Sequence, residues 1–207
     1  MDNMRQIIIG TKNQAKFAQM RDALRPLGLE AVMPEDLPEV IEDGETNQIN
    51  ARKKALTYAR FLNDAVLSMD NALYFPDLPA DEQPGQNVRR IKGRIDRPSD
   101  NEILEYYRDL IDRYGGEIKG RWEYAICLAR PDGQYWETTV NSERTFVSRQ
   151  SDSIMAGYPL ESLQIDPKSG RPLASLPEED RRRLMSQRIS GPLQEFIKAT
   201  WLAEPEI

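Results

Sequence analysis

The stretch Gln6 to Met20, QIIIGTKNQAKFAQM, constrains the fold more than any other part of the chain. Ile7, Ile8 and Ile9 form a continuous run of β-branched residues, the pattern of a short strand buried on both faces. Gly10 ends it. From Phe17 the apolar period changes: Phe17, Met20, Leu24 and Leu27 are spaced by three and four, which predicts one face of a helix. Asn13 is the expected N-cap. A strand that feeds a helix N-terminus leaves unpaired backbone N–H groups, a ready anion site. Thr11 and Asn13 add neutral donors to it, and Lys16 adds charge one turn in. Two readings fit this stretch, a phosphate cradle and an ordinary capped loop with a solvated lysine. Neither GxGxxG nor GxxxxGK[ST] is present, so on this stretch alone the ordinary loop is the simpler reading.

With 207 residues, 39% hydrophobic and 30% charged, the chain has the material for one sizeable soluble core and little for two. A net charge of −6 argues against a nucleic-acid groove as the main surface. No apolar run reaches membrane-spanning length, and the polar start MDNMRQ is not a secretory signal. The single cysteine, Cys127, allows no internal disulfide and sits in an apolar run, so a buried thiol in a reducing cytoplasm is expected. The chain has no histidine. That removes Ser-His and Cys-His nucleophile pairs and every histidine-bearing metal site. An enzyme built this way works with carboxylates, lysines, arginines, tyrosines or a hard metal held by oxygen, and oxygen ligands point to Mg²⁺.

Further along, Leu29 to Met33 predicts a second strand, and Pro34 to Gly44 an acidic irregular loop. A helix is expected from Thr46 to Leu62, then a third strand at Ala65 to Met69 with Asp70 directly at its C-terminal end. Ligands of open α/β sheets gather beyond the carboxyl ends of strands, so Asp70 and the Thr11 loop are expected side by side. Residues 76 to 100 read mostly as loop. A helix is expected at 100–114, then a hairpin from Arg121 to Val147 turning at Pro131-Asp132-Gly133. Helices at 176–188 and from Pro192 to Trp201 close the chain. The expected fold is α/β, a single domain over 1–207 with a mixed, twisted central sheet flanked by helices.

Several separated motifs fall in one order. The chain has T-x-N-x-x-K at Thr11, Asn13 and Lys16, then E-x-G-x-T at Glu42, Gly44 and Thr46. Asn50-Ala51 with Lys54-Ala55 follows, then Ser68-Met69-Asp70-Asn71-Ala72-Leu73, Pro84-Gly85, Arg121-Trp122, Gly157-Tyr158 and Ser186-Gln187-Arg188. In this the chain resembles the inosine/xanthosine triphosphate pyrophosphatases, house-cleaning enzymes that cleave deaminated purine nucleoside triphosphates to monophosphate and pyrophosphate with Mg²⁺. The resemblance implies that Thr11, Asn13, Lys16 and Lys54 hold the phosphates. It implies that Glu42 and Asp70 serve Mg²⁺ and the attacking water. Asp70, Glu42 and Lys54 are then the catalytic candidates, and Asn50, Tyr158, Ser186, Gln187 and Arg188 further candidates for contacting substrate. By the same analogy a homodimer is expected.

The departures bear on activity and on the base. Ile49 stands where the family has a glutamate and Met69 where it has the first of two aspartates. Ala156 and Pro159 replace an aromatic and an aspartate beside the Gly-Tyr pair, and Gln187 replaces the histidine of Ser-His-Arg. A glutamine amide offers both a donor and an acceptor, so weaker discrimination between 6-keto and 6-amino purines, or a shift to another nucleotide, is expected. The alternative is a catalytically weak or inactive nucleotide-binding relative with a regulatory role.

Overall fold

The computed structural model describes residues 5–91, 96, 98–149, 154–155 and 158–203. The three isoleucines form β1 (Gln6–Ile9), and the period change at Phe17 marks α1 (Gln14–Leu24). Then come β2 (Glu30–Val32), α2 (Asn47–Leu62) and β3 (Val66–Tyr74). α3 (Asp100–Arg113) precedes the long strands β4 (Glu117–Ala129) and β5 (Tyr135–Val147), and α4 (Glu178–Gln187) and α5 (Ser190–Ile197) follow. The result is the expected α/β fold with a mixed sheet.

The five strands lie in the order β2-β1-β3-β4-β5. β1 is central to the parallel part, with Ile7 opposite Ala31, and Ile8 and Ile9 opposite Val66 and Leu67. β4 and β5 are neighbours joined only by residues 130–134, too few for a parallel crossover, so they form the hairpin read from Pro131-Asp132-Gly133.

The chain divides into two compact units. The first holds Met1–Asn71, Tyr124–Val140 and Arg182–Ile207; the second holds Ala72–Glu123 and Asn141–Arg181. In the first, α2 buries Ala51, Ala55, Tyr58 and Ala59 with Leu37, Val66, Ala125, Cys127 and Ala129. The small residues on both sides let helix and strands approach closely. Cys127 is buried and free, as its apolar surroundings in the sequence predict. Elsewhere in this unit α1 packs on α5, and the Gln194 amide donates to the Ala23 carbonyl at 2.7 Å.

In the second unit, Ser99 and Glu102 form a reciprocal capping box that starts α3, whose Ile103, Leu104, Tyr107, Leu110 and Ile111 are buried. Phe75 meets Tyr107 and Phe146 with ring centroids 6.4 and 5.1 Å apart. Gly120 lies against this aromatic group, and a Cβ there would stand 2.6 Å from Phe146 Cε2 and 2.9 Å from Phe75 Cε1.

One boundary differs from the sequence expectation in a way that matters for the site. β3 does not stop at Met69 but runs to Tyr74, so Asp70 lies inside the strand rather than after it. Ala72, Leu73 and Phe75 are all fully buried, and burial of that apolar run carries the strand past the carboxylate. β1 pairs only with the start of β3, at Val66 and Leu67, so Asp70 still lies beyond the carboxyl end of β1.

The packing at Gly120 gives a direct test of the second unit's core. Gly120→Ala is expected to destabilise by about 1–3 kcal/mol through overpacking. Adding Phe146→Leu should return part of that loss, since it removes the ring that a new methyl meets. Urea midpoints of the two single variants and the double variant measure both effects.

Candidate active site

The site is assembled where β1 ends. Gly10 follows Ile9, donating its N–H to the Leu67 carbonyl at 2.8 Å, and the buried Ser68 hydroxyl donates to the Gly10 carbonyl at 3.0 Å. A side chain at Gly10 has no room, because a Cβ would lie 2.6 Å from Val66 Cγ1 and 2.7 Å from both Ser68 Oγ and Tyr58 Cδ2. The loop is thus clamped to β3 immediately before Thr11. Sequence reading passed over Ser68, although a serine inside the apolar run AVLSM is the signal for such a buried bond.

Thr11 and Asn13 shape the turn into α1. Thr11 Oγ1 accepts the Asn13 N–H at 3.1 Å, and Asn13 Oδ1 accepts from Ala15 N and Lys16 N at 2.9 and 3.2 Å. Asn13 is therefore the N-cap that the sequence predicts. The cap also occupies two of the helix-end donors, which leaves the Thr11 hydroxyl proton, the Asn13 amide protons and the lysine charges as the groups most free to meet an anion.

Opposite this turn, α2 starts at Thr46, whose hydroxyl accepts the Ile49 N–H. Asn50 is buried, and its Oδ1 accepts the Gly44 N–H at 2.8 Å, tying the acidic loop back onto the helix. One turn later on the same helix comes Lys54. Its Nζ lies 3.0 Å from Glu42 Oε2 and 2.9 Å from Asp70 Oδ1. Lys16 Nζ approaches the same Asp70 oxygen at 3.6 Å. Two lysines and two carboxylates from four separate elements therefore converge on one point. Lys12, beside Thr11, is exposed and pairs with Glu39 at 2.7 Å.

The electrostatics follow from this geometry. Burial alone would lower the Lys54 pKa, but Asp70 and Glu42 outweigh it and hold it above the ordinary lysine value. Lys16 moves the other way, to about 8, because burial and repulsion from Lys54 exceed the pull of Asp70 and Glu42. Burial would raise the Asp70 carboxyl, yet Lys16 and Lys54 together hold it below its usual value, so it is ionised at neutral pH. Lys54 Nζ donates to both Glu42 and Asp70. The two carboxylates are kept together by the ammonium between them.

The remaining candidates sit elsewhere. Ser186 is buried near the end of α4, donating to the Arg183 carbonyl at 3.0 Å. Gln187 is exposed, and Arg188 is buried. This segment is tied to α1, since Gln19 donates to the Met185 carbonyl at 3.0 Å and Arg182 grips Asp22 through Nε and Nη2 at 3.1 and 2.8 Å. Tyr158 belongs to the second unit and is half-buried just before the short turn Pro159–Ser162. Gly157 and Ala156 lie outside the described residues. Of the two missing acids, Met69 is 2% exposed while Ile49 is 38% exposed.

The sequence profile of the Ham1 family matches residues 7–190. A dITP/XTP pyrophosphatase of Exiguobacterium sp. is 31% identical over 188 residues, covering 88% of this chain and 90% of the relative. A dITP/XTP pyrophosphatase of Bradyrhizobium sp. is 33% identical over 157 residues, covering 73% and 72%. The solved structure of a HAM1 protein from Coxiella burnetii superposes with a TM-score of 0.74 at 18% identity, covering 95% of this chain and all of that one. With the profile matching most of its length, the chain belongs to the Ham1 family.

Proposed function

We propose that this chain hydrolyses nucleoside triphosphates to monophosphate and pyrophosphate with Mg²⁺, acting on non-standard purines with an altered base preference. The observation that carries this reading is the convergence of Lys16, Lys54, Glu42 and Asp70 at the end of β1, beside the Thr11-Asn13 turn. The dITP/XTP pyrophosphatases among its relatives support the same reaction class.

The donor set fits a magnesium ion. Glu42 and Asp70 contact the same Lys54 ammonium, and among the described residues no cluster of three or more His, Cys, Asp or Glu forms a closed cage. Mg²⁺ characteristically binds through one or two carboxylates and completes its shell with water and substrate phosphate. When bound, Mg²⁺ supplies charge that neutralises the phosphate oxygens during in-line attack. Lys16 and Lys54 act as point charges on the phosphates, and the Thr11 hydroxyl and Asn13 amide add directional donors. The Asp70 carboxylate, ionised and weakly basic, orients the attacking water. Asn50 keeps Glu42 in place through the Gly44 N–H. For the base, Arg188 offers donors to a keto oxygen, and Gln187 presents either end of its amide. The domain is read as one functional unit over 1–207, acting as a homodimer in the cytoplasm.

Pyrophosphate release from a panel of inosine, xanthosine, adenosine and guanosine triphosphates with Mg²⁺ tests the reading, and no turnover of any of them overturns it. Asp70→Asn should lower kcat by about 10²-fold or more with the fold intact, and Glu42→Gln should act in the same direction, the two losses being less than additive. Near-normal turnover in folded Asp70→Asn removes Asp70 from the chemistry.

Lys16→Ala should weaken triphosphate binding far more than nucleoside binding, and the loss should shrink as salt rises. Lys16 is charged below about pH 8 and loses its proton above it. Triphosphate affinity should therefore decline as pH rises past 8 in the native protein. Lys16→Arg, which keeps its charge, should flatten that decline. An unchanged profile in Lys16→Arg assigns the decline to another group.

For base choice, kcat/KM for inosine and adenosine triphosphates should differ less in the native protein than in Gln187→His. Strong native selectivity for inosine triphosphate that the substitution leaves unaltered removes Gln187 from base reading.

A further inference from the structure

Tyr58 lies on α2 one turn beyond Lys54, so the two side chains share a helix face. It is 4% exposed, and its ring belongs to the core formed with Leu37, Ala55, Val66 and Cys127. The same ring closes against the β1 loop, with Cδ2 at 2.7 Å from the Cβ position of Gly10. Its hydroxyl faces charge. Burial raises its pKa, Lys54 and Lys12 act to lower it, and Glu42 and Glu39 act to raise it further. It makes no hydrogen bond to a described residue, and its oxygen is not among the buried polar atoms left without a partner, so it opens to solvent at the edge of this core.

A phenylalanine would fill the same core volume without a polar atom. The ring is explained by packing. The oxygen is not. It stands within electrostatic reach of Lys54, Lys12 and Glu42, with its ring against Gly10 just before the turn that leads into α1.

We propose that the Tyr58 hydroxyl is a further phosphate-binding group of this site, donating its proton to an oxygen of a bound polyphosphate on the side of Lys12 and Lys54. The inference rests on the nucleotide reading above and adds to it a residue that belongs to none of the motifs linking the chain to its family. Donation is the right sense. A phosphate chain at neutral pH presents acceptor oxygens, and the raised pKa keeps the phenol protonated. A neutral donor here also complements the lysines, fixing direction where an ammonium supplies only charge.

Tyr58→Phe deletes the oxygen and keeps the ring against Gly10. Calorimetric titrations with inorganic pyrophosphate, inosine triphosphate and inosine, each with Mg²⁺ present, compare it with the native protein. Both phosphate-bearing probes are expected to bind about tenfold more weakly to the variant, with inosine affinity and melting temperature unchanged. Equal pyrophosphate affinity in both proteins overturns the assignment while leaving the nucleotide reading intact. Failure of the native protein to bind either phosphate-bearing probe overturns both. A second measurement covers a variant that folds poorly. In native protein carrying ¹³Cζ-labelled tyrosine, the resonance missing from Tyr58→Phe should move when pyrophosphate is added. A resonance that stays fixed at saturation overturns the proposal.

Discussion

Everything at this site depends on one buried ammonium. Lys54 is taken out of water by α2, a cost that would ordinarily strip its proton, and Glu42 and Asp70 at 3.0 and 2.9 Å keep it charged. The dependence is mutual. Without that charge, Asp70 would keep, among the described residues, the longer contact with Lys16 at 3.6 Å. Any group that separates these four side chains must bring charge of its own, or it leaves a buried ion bare.

The backbone delivers these groups by a mismatch in strand length. β1 has four residues and β3 has nine, and they pair only at the start of β3. Where β1 stops, Gly10 turns the chain across β3 and the Ser68 hydroxyl fastens the turn. The carboxylate two residues further on is left beside a helix N-terminus rather than under another strand. Gln19 and Asp22, on the flank of the same α1, then fix the segment that leads to Ser186 and Arg188.

Much of this was legible in the chain itself. The β-branched run, the change of period at Phe17, the Asn13 cap and the Pro131-Asp132-Gly133 turn are local signals, each with its own short-range physics, and each appears in the structure. The length of β3 was not legible from alternation, because Asp70 and Asn71 interrupt an apolar run that only burial of Leu73 and Phe75 holds in the strand. Tyr58 and Ser68 were missed for a different reason. Each reads as part of an apolar face, and its polar atom acquires meaning only when a distant loop, the one at Gly10, is brought against it. Contacts between residues far apart in sequence, such as Arg182 with Asp22, leave no mark in spacing.

Met69 carries a consequence for mutation. At 2% exposure its side chain is part of the buried interior, adjacent in sequence to Asp70. An aspartate there would bury a further charge, a loss of roughly several kcal/mol unless a cation came with it. The neighbouring packing would have to change first. Polar replacements are accordingly tolerated far more readily at the rim, where Ile49 is accessible, than at Met69 on β3.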